Sequence, residues 1–113
     1  MNFALNVNPA TKNMEKLRAK FFNALADPAR LKILECLRSG ERCVCEIVPY
    51  VGVPQPLVSR HLAILKSCGL VKFRKHGNRR IYFVSDPAVF RVIDAVNADL
   101  ADTLSKKVIE ELV

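Results

Sequence analysis

The run Gln55-Pro56-Leu57-Val58-Ser59-Arg60-His61-Leu62-Ala63-Ile64-Leu65-Lys66-Ser67, closed by Cys68-Gly69, reads as one helix with an abrupt stop. Val58, Leu62 and Leu65 recur at helical spacing, and Pro56 is tolerated because a first-turn N–H has no intrahelical partner to lose. Beyond it, residues 70–75 and 79–84 are short β-rich runs around His76-Gly77-Asn78, a turn signal that makes the pair a hairpin. On the other side, residues 52–54 form a turn after a short helix over about 44–50. The start of that helix is ambiguous, because Glu41, Arg42, Cys43, Val44 and Cys45 also suit an extended entry. Asp27 and Pro28 cap and open a helix over 28–38 with Ile33, Leu34 and Leu37 inward, ending at Ser39-Gly40. Met14, Leu17, Phe21, Ala24 and Leu25 describe an amphipathic helix over 12–26.

Asp86-Pro87 repeats the cap-and-proline start, and Val89, Val92, Ile93, Val96, Leu100, Leu104, Val108 and Leu112 carry the helical period over 86–112. A helix of that length leaves part of its apolar stripe for a second subunit. Helix, helix, short helix, turn, helix, hairpin, helix is the order of a winged helix-turn-helix, mainly α with a small β-hairpin. The expectation is therefore one DNA-binding domain over 1–113. Residues 86–112 would join two copies, 44–67 would form the helix-turn-helix, and 70–84 the wing.

Charge agrees with that order. The 113 residues carry a formal net charge of +7. Between Glu46 and Asp86 there is no acidic residue, while Arg60, Lys66, Lys72, Arg74, Lys75, Arg79 and Arg80 supply the whole excess. Double-stranded DNA is the anionic partner that a basic helix and a basic hairpin together suit. Gln55, Pro56, Ser59, Arg60 and His61 are candidates for the reading face; Lys66, Arg74, Lys75, Arg79 and Arg80 are candidates for phosphate contacts. His61 reads equally as a partly buried polar residue, His76 as a turn residue, and Tyr82 as core. Of Arg79 and Arg80, strand alternation sends one to DNA and the other to packing or solvent.

The length excludes a multidomain enzyme, and half the residues are hydrophobic, enough for one core. No apolar run is long enough to span a bilayer and the N-terminus has no signal-peptide pattern, so a cytoplasmic protein is expected, with its four cysteines metal-binding, reactive or buried. Cys43 and Cys45 form Cys-x-Cys, and thiolates select soft ions over magnesium or calcium. Residues two apart do not share a face of a regular helix, so joint coordination is expected to distort the start of the third helix and re-aim residues 55–67. A two-residue disulfide is expected to have poor geometry, which would leave a redox switch to Cys36 or Cys68. A thiol enzyme is disfavoured: Cys-x-Cys is not the two-spacer redox motif, and no glycine-rich loop or acid–base constellation accompanies it.

Three segments resemble the ArsR/SmtB metalloregulatory repressors over about residues 17–95. They are Ala24-Leu25-Ala26-Asp27-Pro28-Ala29-Arg30-Leu31-Lys32-Ile33-Leu34, Glu41-Arg42-Cys43-Val44-Cys45-Glu46-Ile47, and Gln55 to Leu62 continuing through Leu65, Gly69-Leu70-Val71, Gly77, Arg80 and Tyr82. The resemblance implies a homodimeric repressor whose first and last helices, about residues 12–26 and 86–112, form the dimer interface, and which leaves its operator when an inducer binds. The middle segment is similar to the family's thiolate motif, which implies As(III) or Sb(III) at Cys43 and Cys45. Arsenic-responsive members often carry a third thiol where this chain has Val48, so Cys36, Cys68 or a cysteine of the other subunit would complete the site. Cadmium or lead is the alternative if an extra thiolate reaches the pair, and redox or persulfide sensing is another. A four-ligand zinc site lacks a second Cys or His pair, and residues 86–113 hold no His for the family's metal site on the last helix.

Overall fold

A computed structural model describes residues 13–104 together with 106, 110 and 111. Helix α1 (Met14–Leu25) leads through a two-residue corner into α2 (Pro28–Cys36). Asp27 makes the corner: its backbone is extended, and its carboxylate accepts from Ala29 N at 2.8 Å and Arg30 N at 3.2 Å, two donors with no intrahelical partner. Burial alone would raise the Asp27 pKa, but those two N–H groups outweigh it, with His61 and Arg30 adding to them, and hold the carboxyl below its ordinary value. A lowered folded pKa contributes stability above the unfolded value and loses it as pH falls through the folded one. Asp27→Ala is therefore expected to cost about 1 kcal/mol at neutral pH and progressively less in acid, measured by urea unfolding across pH.

Strand β1 (Arg42–Cys43) enters α3 (Val44–Val51), which Gly52 ends at φ 78°, a left-handed conformation that suits glycine. Helix α4 (Gln55–Ser67) has the bounds its apolar spacing predicts, and Gly69 at φ 77° turns the chain out of it. Strands β2 (Val71–His76) and β3 (Arg79–Val84) form the wing, with Phe73 opposite Tyr82, Lys75 opposite Arg80 and His76 opposite Arg79. Strand β1 pairs with the other edge of β3, Arg42 opposite Tyr82 and Cys43 opposite Ile81. The expected hairpin is thus two strands of a three-stranded antiparallel sheet ordered β1-β3-β2. Of the two readings open for residues 41–45, both hold in part: Cys43 is the last strand residue and Val44 the first helical one.

Among the described residues, the expected single helix over 86–112 is interrupted. Helix α5 (Ala88–Asp94) stops before a bend over 95–97, and α6 (Ala98–Leu104) restarts with the Asn97 side chain accepting from Leu100 N at 3.0 Å. A side-chain cap at Asn97 supplies what the preceding turn of helix would have given. Val108 and Leu112 lie outside the residues whose side chains are described.

The core gathers Ile33 and Leu34 of α2, Ile47 of α3, and Val58, Leu62 and Leu65 of α4, all at most 1% exposed. Apolar side chains left outside it concentrate on α1 and the C-terminal helices: Leu17 and Phe22 are 59% and 55% exposed, and Val96 and Leu104 each 64%. Arg38 ties the C-terminal helices to α2, donating to both carboxylate oxygens of Asp94 at 2.8 and 2.9 Å while its guanidinium covers the Phe90 ring at 4.5 Å.

Candidate functional site

Helix α4 buries Val58, Leu62 and Leu65, which leaves Gln55, Pro56, Ser59 and Arg60 exposed on its far side. The wing rises beside it. Between them runs an open cleft of about 760 Å³. Helix α4 lines it with Gln55, Ser59, Ala63, Lys66 and Ser67; the wing contributes Phe73, Asn78, Arg79, Arg80 and Tyr82. Phe73 organises the cations here, with Lys66 Nζ 5.0 Å and Arg80 Cζ 4.7 Å from its ring centroid. Attraction to a ring face holds each head group in place without cancelling its charge. Nothing distinguished Phe73 in the sequence from an ordinary strand apolar residue between Lys72 and Arg74.

The remaining candidates, and the core face of Tyr82, are placed as follows. His61 is turned inward, correcting its assignment to the reading face: its Nδ1 accepts from Arg30 Nη1 at 3.2 Å, and its Nε2 lies 4.0 Å from Asp27 Oδ1. Arg30 also donates to the carbonyls of Ala24 and Asn23, tying the end of α1 to α2 and α4. Arg74 is committed to Glu41 in a two-point contact, 2.6 Å from Nη2 and 3.2 Å from Nε, and its hydrogen bonds hold the Glu41 carboxyl below the usual range. Tyr82 is core, 6% exposed and packed on Phe73 with centroids 5.3 Å apart. Arg60 and Lys75 are exposed outside the cleft.

Cys43 and Cys45, with Val44, also line this cleft. Their sulfurs are in bonding contact as a disulfide, with Cα atoms 5.2 Å apart, inside the range a disulfide spans. The pairing expected to have poor geometry is formed here, because Cys43 is the extended N-cap of α3 (φ −77°, ψ 162°) rather than a helical residue. With that bond in place α3 begins at Val44, and the Glu46 carboxylate accepts from Cys43 N at 3.1 Å. Pro49 has no N–H to give the Cys45 carbonyl, so the turn carrying Cys45 is less tied than a regular one. Cys43 is buried and Cys45 exposed.

Neither other cysteine lines that cleft. Cys36 is buried beside Arg38, Ser39 and Arg42; burial pushes its thiol pKa up, with Arg42 opposing. Cys68 ends α4, its Sγ 3.9 Å from the Lys20 carbonyl. Among the described residues, no group of three or more His, Cys, Asp and Glu side chains is gathered as a metal site, and no helix is long and apolar enough to cross a membrane.

The profile of "Bacterial regulatory protein, arsR family" matches residues 27–72. A probable mercury resistance operon repressor of Streptomyces lividans is 44% identical over 84 residues, which are 74% of this chain and 67% of that protein. The chain belongs to the arsR family. Members are DNA-binding transcriptional regulators, not enzymes. Two solved structures share the architecture of this arsR-family chain. The crystal structure of Mycobacterium tuberculosis Rv0081 has a TM-score of 0.72 at 35% identity, covering 90% of this chain and 99% of that one. The solution structure of Mycobacterium bovis Mb0332, described as a homodimeric winged helix-turn-helix DNA-binding domain, has a TM-score of 0.74 at 31% identity, covering 88% and 92%. The winged helix-turn-helix expected from the order of elements is thereby shown.

Proposed function

We propose that this regulator is a homodimeric, cytoplasmic repressor whose operator contact is broken when a thiophilic ion, foremost As(III) or Sb(III), binds the reduced Cys43 and Cys45. The observation that carries the reading is the shared cleft: Cys43 and Cys45 line it together with Gln55, Ser59, Lys66, Arg79 and Arg80. Residues 44–67 are then the helix-turn-helix and 70–84 the wing of one domain. Gln55, Pro56, Ser59 and Arg60 read bases, and Lys66, Lys75, Arg79 and Arg80 meet phosphates. Arg74 holds the wing through Glu41. Exposed Leu17, Phe22, Val96 and Leu104 support pairing of two copies through α1 and the C-terminal helices.

Reduction of the Cys43–Cys45 bond would give a soft ion two thiolate ligands, one at the extended N-cap of α3 and one in its first turn. The relative named for mercury resistance supports a soft effector, and cadmium and lead are the alternatives. The test is fluorescence anisotropy of the reduced protein on its own upstream DNA, with arsenite, antimonite, cadmium, lead and zinc added in turn. Release by arsenite or antimonite is expected; specific binding indifferent to every ion would overturn the ion reading. Arg60→Ala is expected to weaken DNA binding about tenfold while thiol reactivity is unchanged, and undiminished affinity would remove Arg60 from the contacts.

The sulfur–sulfur bond favours a second reading, in which oxidation of Cys43 and Cys45 is itself the signal. Thiol titration paired with DNA affinity, before and after oxidation, separates the two. A protein that binds DNA equally in both states would leave oxidation without a role.

A further inference from the structure

Resting on the ion reading above, we propose that the cleft between α4 and the wing binds a small thiol bearing carboxylates, and that this thiol supplies the third sulfur to an As(III) or Sb(III) ion held by Cys43 and Cys45. A trivalent arsenic bound through sulfur takes three thiolates, and the chain gathers two. Val48 stands where a third cysteine would be closest in sequence, Cys36 is buried against another surface, and Cys68 is held at the end of α4. Among the described residues no third His, Cys, Asp or Glu joins the pair.

The cleft has the size and charge for an outside donor. Its volume of about 760 Å³ lies in the range of sites that hold ligands of tripeptide size. Lys66, Arg79 and Arg80 line it, and none of its described lining residues is Asp or Glu. That sets these cations apart from Arg74, committed to Glu41, and Arg38, committed to Glu35 and Asp94. Phe73 fixes two of them in place. A carboxylated thiol therefore meets positive charge while its sulfur lies toward the exposed Cys45.

The chemistry balances. Two molecules of the thiol RSH reduce the Cys43–Cys45 bond, giving two protein thiols and leaving as RSSR. The dithiol then exchanges with As(SR)₃: two protein S–As bonds form, two As–SR bonds break, and two RSH depart with the cysteine protons. The remaining SR stays on arsenic with its carboxylates against Arg79 and Arg80. DNA phosphates need the same cations, so the ternary complex and the operator exclude one another.

The experiment titrates the reduced full chain with arsenite in glutathione or in the neutral 2-mercaptoethanol, at thiol concentrations that hold free arsenite equal. Sulfur–arsenic ultraviolet absorption and native mass spectrometry are the readouts. The expected result is a protomer carrying one arsenic and one glutathione. Its apparent affinity at low salt should be about fivefold to tenfold above that in 2-mercaptoethanol, the scale of two exposed ion pairs. The gap should close at high salt and in an Arg79→Gln/Arg80→Gln variant. A complex without glutathione, equal affinity in both thiols, or loss of binding in Cys36→Ser or Cys68→Ser would overturn the external third sulfur while leaving the ion reading intact. No arsenite bound in either thiol would overturn the ion reading itself, and this inference with it.

Discussion

Leu62→Ala is expected to destabilise the folded protein by about 3 kcal/mol, enough to raise the unfolded fraction roughly a hundredfold in a domain of ordinary stability. Leu62 is 1% exposed and belongs to the core cluster, to which α2, α3 and α4 contribute together with Ala24 of α1, Leu70, Val71 and Tyr82 around the wing, and Val89 of α5. Removing its isobutyl group costs both the transfer of those carbons from water and the cavity that close-packed neighbours cannot fill. Leu57 provides the control. It has the same side chain on the same helix but is 41% exposed, so Leu57→Ala should change stability by less than about 0.5 kcal/mol. Urea unfolding at fixed protomer concentration reads both: the Leu62→Ala midpoint should fall with an unchanged slope while the Leu57→Ala midpoint stays. Equal midpoints would mean that the inner face of α4 is not where the domain's stability lies.

That contrast also explains what the sequence could reveal. Residues 55–67 were legible to both ends because apolar period, proline position and a glycine stop coincide there. Asp27-Pro28 was legible for the same reason, as two local signals at one corner. The C-terminal helices were not, because apolar residues continue at helical spacing straight through the bend at 95–97. Asn97 was the contrary signal, a side chain that can cap a new helix, and the periodicity outweighed it.

In the site, the sequence placed the charge but not its commitments. Arg74 and Glu41 are 33 residues apart, and Arg38 and Asp94 are 56 apart, so no local pattern distinguishes them from cations left to meet DNA. His61 illustrates the same limit: its place on α4 suited a base contact, but Arg30 and Asp27, two helices earlier, face its two ring nitrogens. The thiol pair was readable as a pair. Its geometry was not, because the reach of Cys43 depends on β1 pairing with β3, a contact across 38 residues that makes Cys43 extended where a helix start would have pointed it away.

Cys45→Ser is expected to abolish ion-induced release while leaving operator binding as it is. A two-point thiolate grip gains from the second sulfur being tethered near the ion, so deleting one should weaken binding by about 100-fold or more. Cys45 is the better of the two positions at which to test this. It is exposed, so a serine hydroxyl there stays hydrated, and no described side chain relies on its sulfur apart from Cys43. Cys43 is 3% exposed, so Cys43→Ser also buries a hydroxyl at a cost of about 1–3 kcal/mol unless it finds a partner, which confuses lost sensing with lost stability. Anisotropy on operator DNA with increasing arsenite measures the outcome. Wild-type release from the Cys45→Ser protein would show that the ion is held elsewhere, and weakened DNA binding before any ion is added would make the Cys43–Cys45 bond part of the DNA-competent structure rather than a sensor beside it.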